Sequence, residues 1–332
     1  YIHLERFGTT SGKEVHDAIA KLQGEGMEKL IFDLGVNGGG YLGAAVDVAS
    51  EFLPGGSLVV YTQGRTGKDS QLRASSNGLF RKGALAILVD EYTASAAEIV
   101  SGAVQDHDRG VIVGRRTFGK GLVQRPVELP DGSMIRLTVS HYYTPSGRCI
   151  QKPYVKGEKE KYNEDLNTRF THGELMHLDS IHLDSTKVYT TLEKHRTVYG
   201  GGGIMPDIFV PLDTTSYTPY YRALSRNNLI TQAALRFTDS NRKPILRRYK
   251  SFDDYLSSYA IPTSLLDDIE KEAEKKGIKP KDEAERKEAR EDMAFMLKAL
   301  VAYNVWDRNE YFRIINQKND IVKRALEELQ KP

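Results

Sequence analysis

A serine and a lysine stand 25 residues apart in this chain, each in a setting where the backbone can turn sharply. Ser95 lies in Glu91-Tyr92-Thr93-Ala94-Ser95-Ala96-Ala97-Glu98, between an apolar run at 84–89 and a helical pattern at 96–105. A strand–turn–helix setting exposes a nucleophile in many hydrolases, and the positive end of a helix favours negative charge there. Lys120 lies between Gly119 and Gly121 in Gly114-Arg115-Arg116-Thr117-Phe118-Gly119-Lys120-Gly121-Leu122-Val123-Gln124. A surface lysine needs no turn this permissive. As a free amine it would take the proton of a serine hydroxyl, and burial is what favours the free amine over the ammonium. Gln124 offers an amide to aim it. A third stretch, Asp33-Leu34-Gly35-Val36-Asn37-Gly38-Gly39-Gly40, has consecutive glycines whose N–H groups can approach an anion closely. That suits an oxyanion hole, where donors stabilise charge developing on a carbonyl oxygen. The chemistry spelled by the three stretches is acyl transfer.

Each stretch also has a plainer reading. Ser95-Ala96-Ala97-Glu98 fits a helix capping box. Gly114 to Lys120 matches the phosphate-loop spacing G-x-x-x-x-G-K, but Gly121 stands where Ser or Thr should hold magnesium. The residues that follow look extended, not helical, so no nucleotide is expected. The glycine stretch alone is a tight turn. All three, however, follow presumed strands, and sites in open α/β sheets gather at strand carboxyl ends. His172, His177 and His182 are spaced by five, which puts neighbours on different faces of either element, so no metal is expected there.

The elements that would position these residues alternate. Helical patterns at 15–22, 42–53 and 96–105 interleave with strands at 30–34, 58–62, 84–89 and 111–113. This rhythm indicates a sheet covered by helices. Residues 127–129 and 134–143 flank Pro130-Asp131-Gly132-Ser133 and form an expected hairpin. Residues 151–196 read as charged and irregular, and 197–210 as a turn into a short last strand. From about Asp213 the composition shifts, with helices expected at 220–237, 264–276, 281–303 and 310–330. Two domains follow: a core at 1–212 and a helical subdomain at 213–332.

The 332 residues carry 39% hydrophobic and 28% charged side chains, enough for a real core. A net charge of +2 does not argue for nucleic acid, and no apolar run is long enough to span a bilayer. Cys149 is the single cysteine and forms no intrachain disulfide. The chain starts at Tyr1 without a signal peptide, so it reads as a trimmed piece.

The Ser95 segment, Thr117-Phe118-Gly119-Lys120-Gly121, Gln124 and Tyr142-Tyr143-Thr144-Pro145-Ser146-Gly147-Arg148 together resemble the carboxy-terminal processing peptidases, or tail-specific proteases. The likeness runs through most of 1–150 and resumes weakly at 200–207. It implies an α/β fold akin to the crotonase/ClpP-like core, with a β-hairpin and a helical C-terminal subdomain. It implies Ser95 as nucleophile, Lys120 as general base and Gln124 as the residue orienting Lys120. Oxyanion donors would be the backbone N–H groups of Ala96 and Gly39. No cofactor is implied; the partner is a protein or peptide substrate with an apolar carboxyl terminus, met in the bacterial periplasm or cell envelope. Two departures stand out. Gly35 replaces an arginine common in the family, and the PDZ domain that usually precedes the core is absent from this piece. The rival expectation is a non-catalytic relative that binds ligands or peptides on the same fold.

Overall fold

The structure is a computed structural model and describes residues 1–64, 70–155 and 157–331. It divides the chain into two compact units, residues 1–212 with 324–332, and residues 213–323. The last nine residues therefore group with the first unit, whereas the sequence reading had them in the helical subdomain.

In the first unit, the short strand β1 (Ile2–His3) leads through α1 (Ser11–Gly24) to β2 (Lys29–Asp33), and α2 (Leu42–Ser50) follows. Next come β3 (Leu58–Gln63), β4 (Ser70–Arg73), β5 (Ala84–Val89), α3 (Ala96–Asp106) and β6 (Val111–Gly114). The hairpin strands are β7 (Leu122–Glu128) and β8 (Met134–Tyr143). Helix α4 (Lys159–Thr171), strands β9 (Val188–Thr190) and β10 (Thr197–Tyr199), and β11 (Ile208–Phe209) complete the unit.

Three sheets form among the described residues. The largest is parallel, in the order β1-β2-β5-β6-β11. A four-stranded one is antiparallel, in the order β4-β3-β8-β7, and β9 and β10 pair antiparallel by themselves. The central strands β2 and β5 are near-continuous apolar runs, and after the first residue of each every side chain is buried, so both faces are covered. Leu30, Phe32, Leu85, Ile87 and Val89 pack with Val48 of α2, Phe52 just after it, and Val100 and Val104 of α3 in one core. The sheet order has a direct consequence. The loops that follow β2, β5 and β6 are the glycine stretch, the Ser95 turn and the Lys120 turn. Parallel neighbours end on the same side, so the serine loop emerges between the other two.

The hairpin is longer than expected. β7 begins at Leu122, directly after the lysine turn, and pairs with β8 from Leu122↔His141 to Glu128↔Met134. A strand here, not a helix, removes the phosphate-loop reading. Helix α4 lies in the stretch expected to be irregular. Its weak apolar content hid it.

The second unit holds α5 (Pro219–Arg226), α6 (Leu229–Arg248), α7 (Phe252–Ser258), α8 (Thr263–Lys275), α9 (Glu283–Val305) and α10 (Arg308–Ile315); α11 (Asp320–Gln330) spans the boundary. The expected helix 220–237 is two helices, broken where Asn228 takes a left-handed backbone, φ +56. The expected helix 310–330 is likewise split between α10 and α11.

Candidate active site

Ser95 sits at the mouth of α3 with φ +57 and ψ −116, a strained backbone for a residue with a side chain. Strain of this kind persists only where neighbours over-determine it. Here the Ser95 N–H donates to Glu98 Oε2 at 2.7 Å, and its carbonyl accepts from the N–H groups of Glu98 (2.9 Å) and Ile99 (3.1 Å). The Glu98 carboxylate thereby closes the expected capping box from its N3 position. Upstream, Asp90 Oδ1 accepts the N–H groups of Tyr92 and Thr93, both at 3.0 Å, which closes the turn after β5.

The glycine loop is drawn against this turn. Gly39 has φ +90, and a Cβ there would lie 2.7 Å from Ser95 Cβ and 2.8 Å from the Ala96 nitrogen. Only glycine allows that approach. Asn37 is buried and braces the loop: its Nδ2 donates to the Leu4 carbonyl (2.6 Å), its carbonyl accepts the Ala94 N–H (2.9 Å), and its Oδ1 accepts the Gly39 N–H (2.8 Å). In this arrangement the expected oxyanion donor Gly39 N–H is therefore held by Asn37, while the Ala96 N–H has no partner among the described residues. Gly35 faces two carboxylates. Its N–H donates to Asp33 Oδ1 (2.8 Å) and that of Val36 to Asp90 Oδ2 (2.9 Å). These backbone donors tie the loop down.

The lysine turn after β6 is joined to the serine turn by two buried side chains. Glu98 has no solvent exposure. Besides Ser95 N–H, its Oε2 accepts the Lys120 N–H (2.9 Å), and its Oε1 accepts the Gly119 N–H (2.7 Å) and the Thr117 hydroxyl (2.5 Å). Burial pushes the Glu98 pKa up, and the hydrogen bonds from Thr117, Lys120, Gly119 and Ser95 pull against that. Tyr142, from β8, donates its hydroxyl to the Ser95 carbonyl (2.9 Å) and also to the Lys120 carbonyl. Burial raises the Tyr142 pKa well above the usual phenol range, so it remains a donor. One carboxylate thus takes the N–H groups of Ser95 and Lys120, and one hydroxyl takes their carbonyls. Neither residue was singled out from sequence for this role. Glu98 was visible only as a cap and Tyr142 only as part of a motif; their sharing of two distant backbones depends on sheet order.

Ser95, Ala96, Gly39 and the Lys120 turn are therefore brought together. The Lys120 amine has no hydrogen-bond partner among the described residues, and no bond links it to the Ser95 hydroxyl. Gln124 is on β7, exposed, with no hydrogen bond to Lys120. No metal-binding group of His, Cys, Asp or Glu occurs among the described residues, and no described helix is long and apolar enough to cross a membrane.

Parts of the chain are similar to known proteins. Residues 1–159 match the model of peptidase family S41, and residues 220–307 match a family of unknown function (DUF8443). The carboxyl-terminal-processing protease of Synechocystis sp. is 42% identical over 152 residues, covering 46% of this chain and 35% of that protein. The chloroplastic C-terminal processing peptidase of Tetradesmus obliquus is 38% identical over 168 residues, covering 51% and 36%. The chain thus spans about a third of the length of these relatives. Among solved structures, the photosystem II D1 C-terminal processing protease aligns with a TM-score of 0.45 at 28% identity, covering 63% of this chain and 41% of that one. The likeness to peptidase family S41 thus rests on residues 1–159, a little under half of the chain.

Proposed function

We propose that this chain is a serine peptidase of the carboxyl-terminal processing kind, with Ser95 as nucleophile and Lys120 as general base. The observation that supports it most is the shared bracing: Glu98 and Tyr142 hold the backbones of Ser95 and Lys120 in one frame. In the reaction, Ser95 Oγ attacks the peptide carbonyl carbon and its proton passes to the Lys120 amine. The carbonyl oxygen, now negative, takes hydrogen bonds from Ala96 N–H and from Gly39 N–H, which turns from Asn37 Oδ1 to the oxyanion. Lys120 returns the proton to the leaving amine, the C–N bond breaks, and water then hydrolyses the acyl-serine by the same path. Gln124 orients the lysine in the substrate-bound state. The substrate class proposed is a protein or peptide with an apolar carboxyl terminus, in a bacterial envelope compartment.

A non-catalytic binding relative is favoured by one fact, the missing Ser95–Lys120 hydrogen bond. Catalytic hydrogen bonds are often formed only with substrate bound. The deciding experiment is cleavage of disordered peptides with apolar tails by the wild-type chain, Ser95→Ala and Lys120→Ala, with cuts mapped by mass spectrometry. Both variants are expected to fold and to be inactive. Wild-type turnover in either one refutes the assignment.

A further inference from the structure

The Lys120 turn is gripped from a second side, by Gln151, Lys152 and residues 162–174, most of which lie beyond the segment matched to the peptidase family. Gln151 Oε1 accepts the Gly121 N–H at 2.9 Å, and the Lys152 N–H donates to the Gly119 carbonyl at 2.9 Å. Both glycines that flank Lys120 thus pair with this stretch. From α4, Arg169 donates to the carbonyls of Arg116 (2.6 Å) and Thr117 (3.1 Å). Buried carbonyls need donors, and one guanidinium serves two in succession. Glu174 holds that guanidinium in place: it accepts from Arg169 Nε (2.7 Å) and from Arg116 Nη2 (2.6 Å). Burial works to raise the Glu174 pKa, but the two arginines outweigh it and keep it ionised below the usual range.

The side chain of Lys152 closes the grip. It is 4% exposed, and its Nζ lies 4.0 Å from the ring centre of Phe118 and 4.2 Å from that of Tyr162. The amine also donates to the Tyr162 carbonyl (3.0 Å) and to Asp165 Oδ2 (3.1 Å). A cation between two ring faces is attracted by both. Phe118, two residues before Lys120, is thereby pinned to α4. Lys152 is no rival base, because its amine is already ion-paired and hydrogen-bonded, whereas that of Lys120 is not.

We propose that Gln151, Lys152 and residues 162–174 act as a cinch on the Lys120 turn, with Lys152 and Arg169 as positioning residues for the general base. The inference rests on the Ser95/Lys120 reading above. Glu98 and Tyr142 fix the turn from the core side; the cinch fixes its outer carbonyls and Phe118. Releasing it would let the lysine drift without removing any group that touches substrate, and a misplacement of about 1 Å costs about 100-fold in rate.

The test is steady-state peptide cleavage and thermal unfolding of the whole chain carrying Lys152→Met, Lys152→Arg or Arg169→Met, beside Ser95→Ala and Lys120→Ala. Lys152→Met and Arg169→Met are expected to lower kcat by about 10- to 100-fold while KM stays within about twofold. Lys152→Arg is expected to recover kcat to within about threefold, because guanidinium also stacks on rings and pairs with carboxylate. A wild-type kcat in the folded Met variants overturns the cinch, and so does a loss that Lys152→Arg fails to rescue. Should the Met variants not fold, Asp165→Asn removes the partner of Lys152 at a more exposed place; a kcat lowered about threefold or more supports the cinch, and an unchanged kcat overturns it. If Lys120→Ala keeps its turnover, the Ser/Lys reading falls and the cinch with it. If Lys120→Ala is dead and the cinch variants are fully active, only the cinch fails.

Discussion

Glu98→Gln is the substitution that tests the frame of the site most directly. The carboxylate receives four donors, two on each oxygen: Ser95 and Lys120 N–H on one, Gly119 N–H and the Thr117 hydroxyl on the other. An ionised carboxylate has about four lone-pair sites and donates nothing, so the match is complete. The amide of glutamine has one such oxygen and an NH2 group that is itself a donor. Whichever way it is placed, two donors face NH2. A buried donor without an acceptor costs about 1–3 kcal/mol, so two cost about 2–6 kcal/mol. At about 2–4 °C per kcal/mol for a domain of this size, Tm should fall by roughly 10 °C. The same change frees the Ser95 turn from the Lys120 turn, so kcat for peptide cleavage should fall by about 100-fold. Calorimetry and cleavage kinetics on one preparation read both quantities. A Tm within about 2 °C of wild type, together with an unchanged kcat, would refute the claim that this carboxylate joins the two turns.

Two further outcomes follow from the same loops. Burial raises the folded-state pKa of Glu98 above its unfolded value near ~4.3. Between those two values the folded chain holds a proton that the unfolded chain lacks, so this group's contribution to stability grows as pH falls through the raised folded value. Activity should fall over the same window, because a protonated carboxyl has lost acceptor capacity. Tm and kcat moving together in wild type, or an identical Tm–pH curve in Glu98→Gln, would contradict this. Gly39→Ala places a Cβ 2.6 Å from the Ala94 carbonyl oxygen and 2.7 Å from Ser95 Cβ, at φ +90, and should cut kcat by about 100-fold. Gly26→Ala is the control: it has the same φ, +90, and nothing within 4 Å, so it should cost about 1–2 kcal/mol and leave kcat unchanged. Equal kcat in the two variants would show that the contact with Ser95 is immaterial.

Much of this site is legible in the order of residues alone. Apolar runs mark β2 and β5, because a strand buried on both faces has little room for polar residues. Ser95, Lys120 and the glycine stretch announce themselves because sharp turns demand small or glycine neighbours, and that demand is local. Local too is the helical character of 213–323, although Asn228 and the break between α10 and α11 ended helices that periodicity alone would have continued. What no local pattern carries is adjacency. That β5 lies between β2 and β6 is settled by which strands pair, and this pairing sets the serine turn between the other two loops. Glu98 reads as a cap until its carboxylate is seen to reach Lys120, Gly119 and Thr117, residues about twenty positions away, and Tyr142 and Arg169 find their carbonyls only across folded loops. Chain stiffness and side-chain shape act over a few residues and leave their mark in the letters. The pairing of buried donors with buried acceptors acts through space, and it exists only once the chain has closed around them.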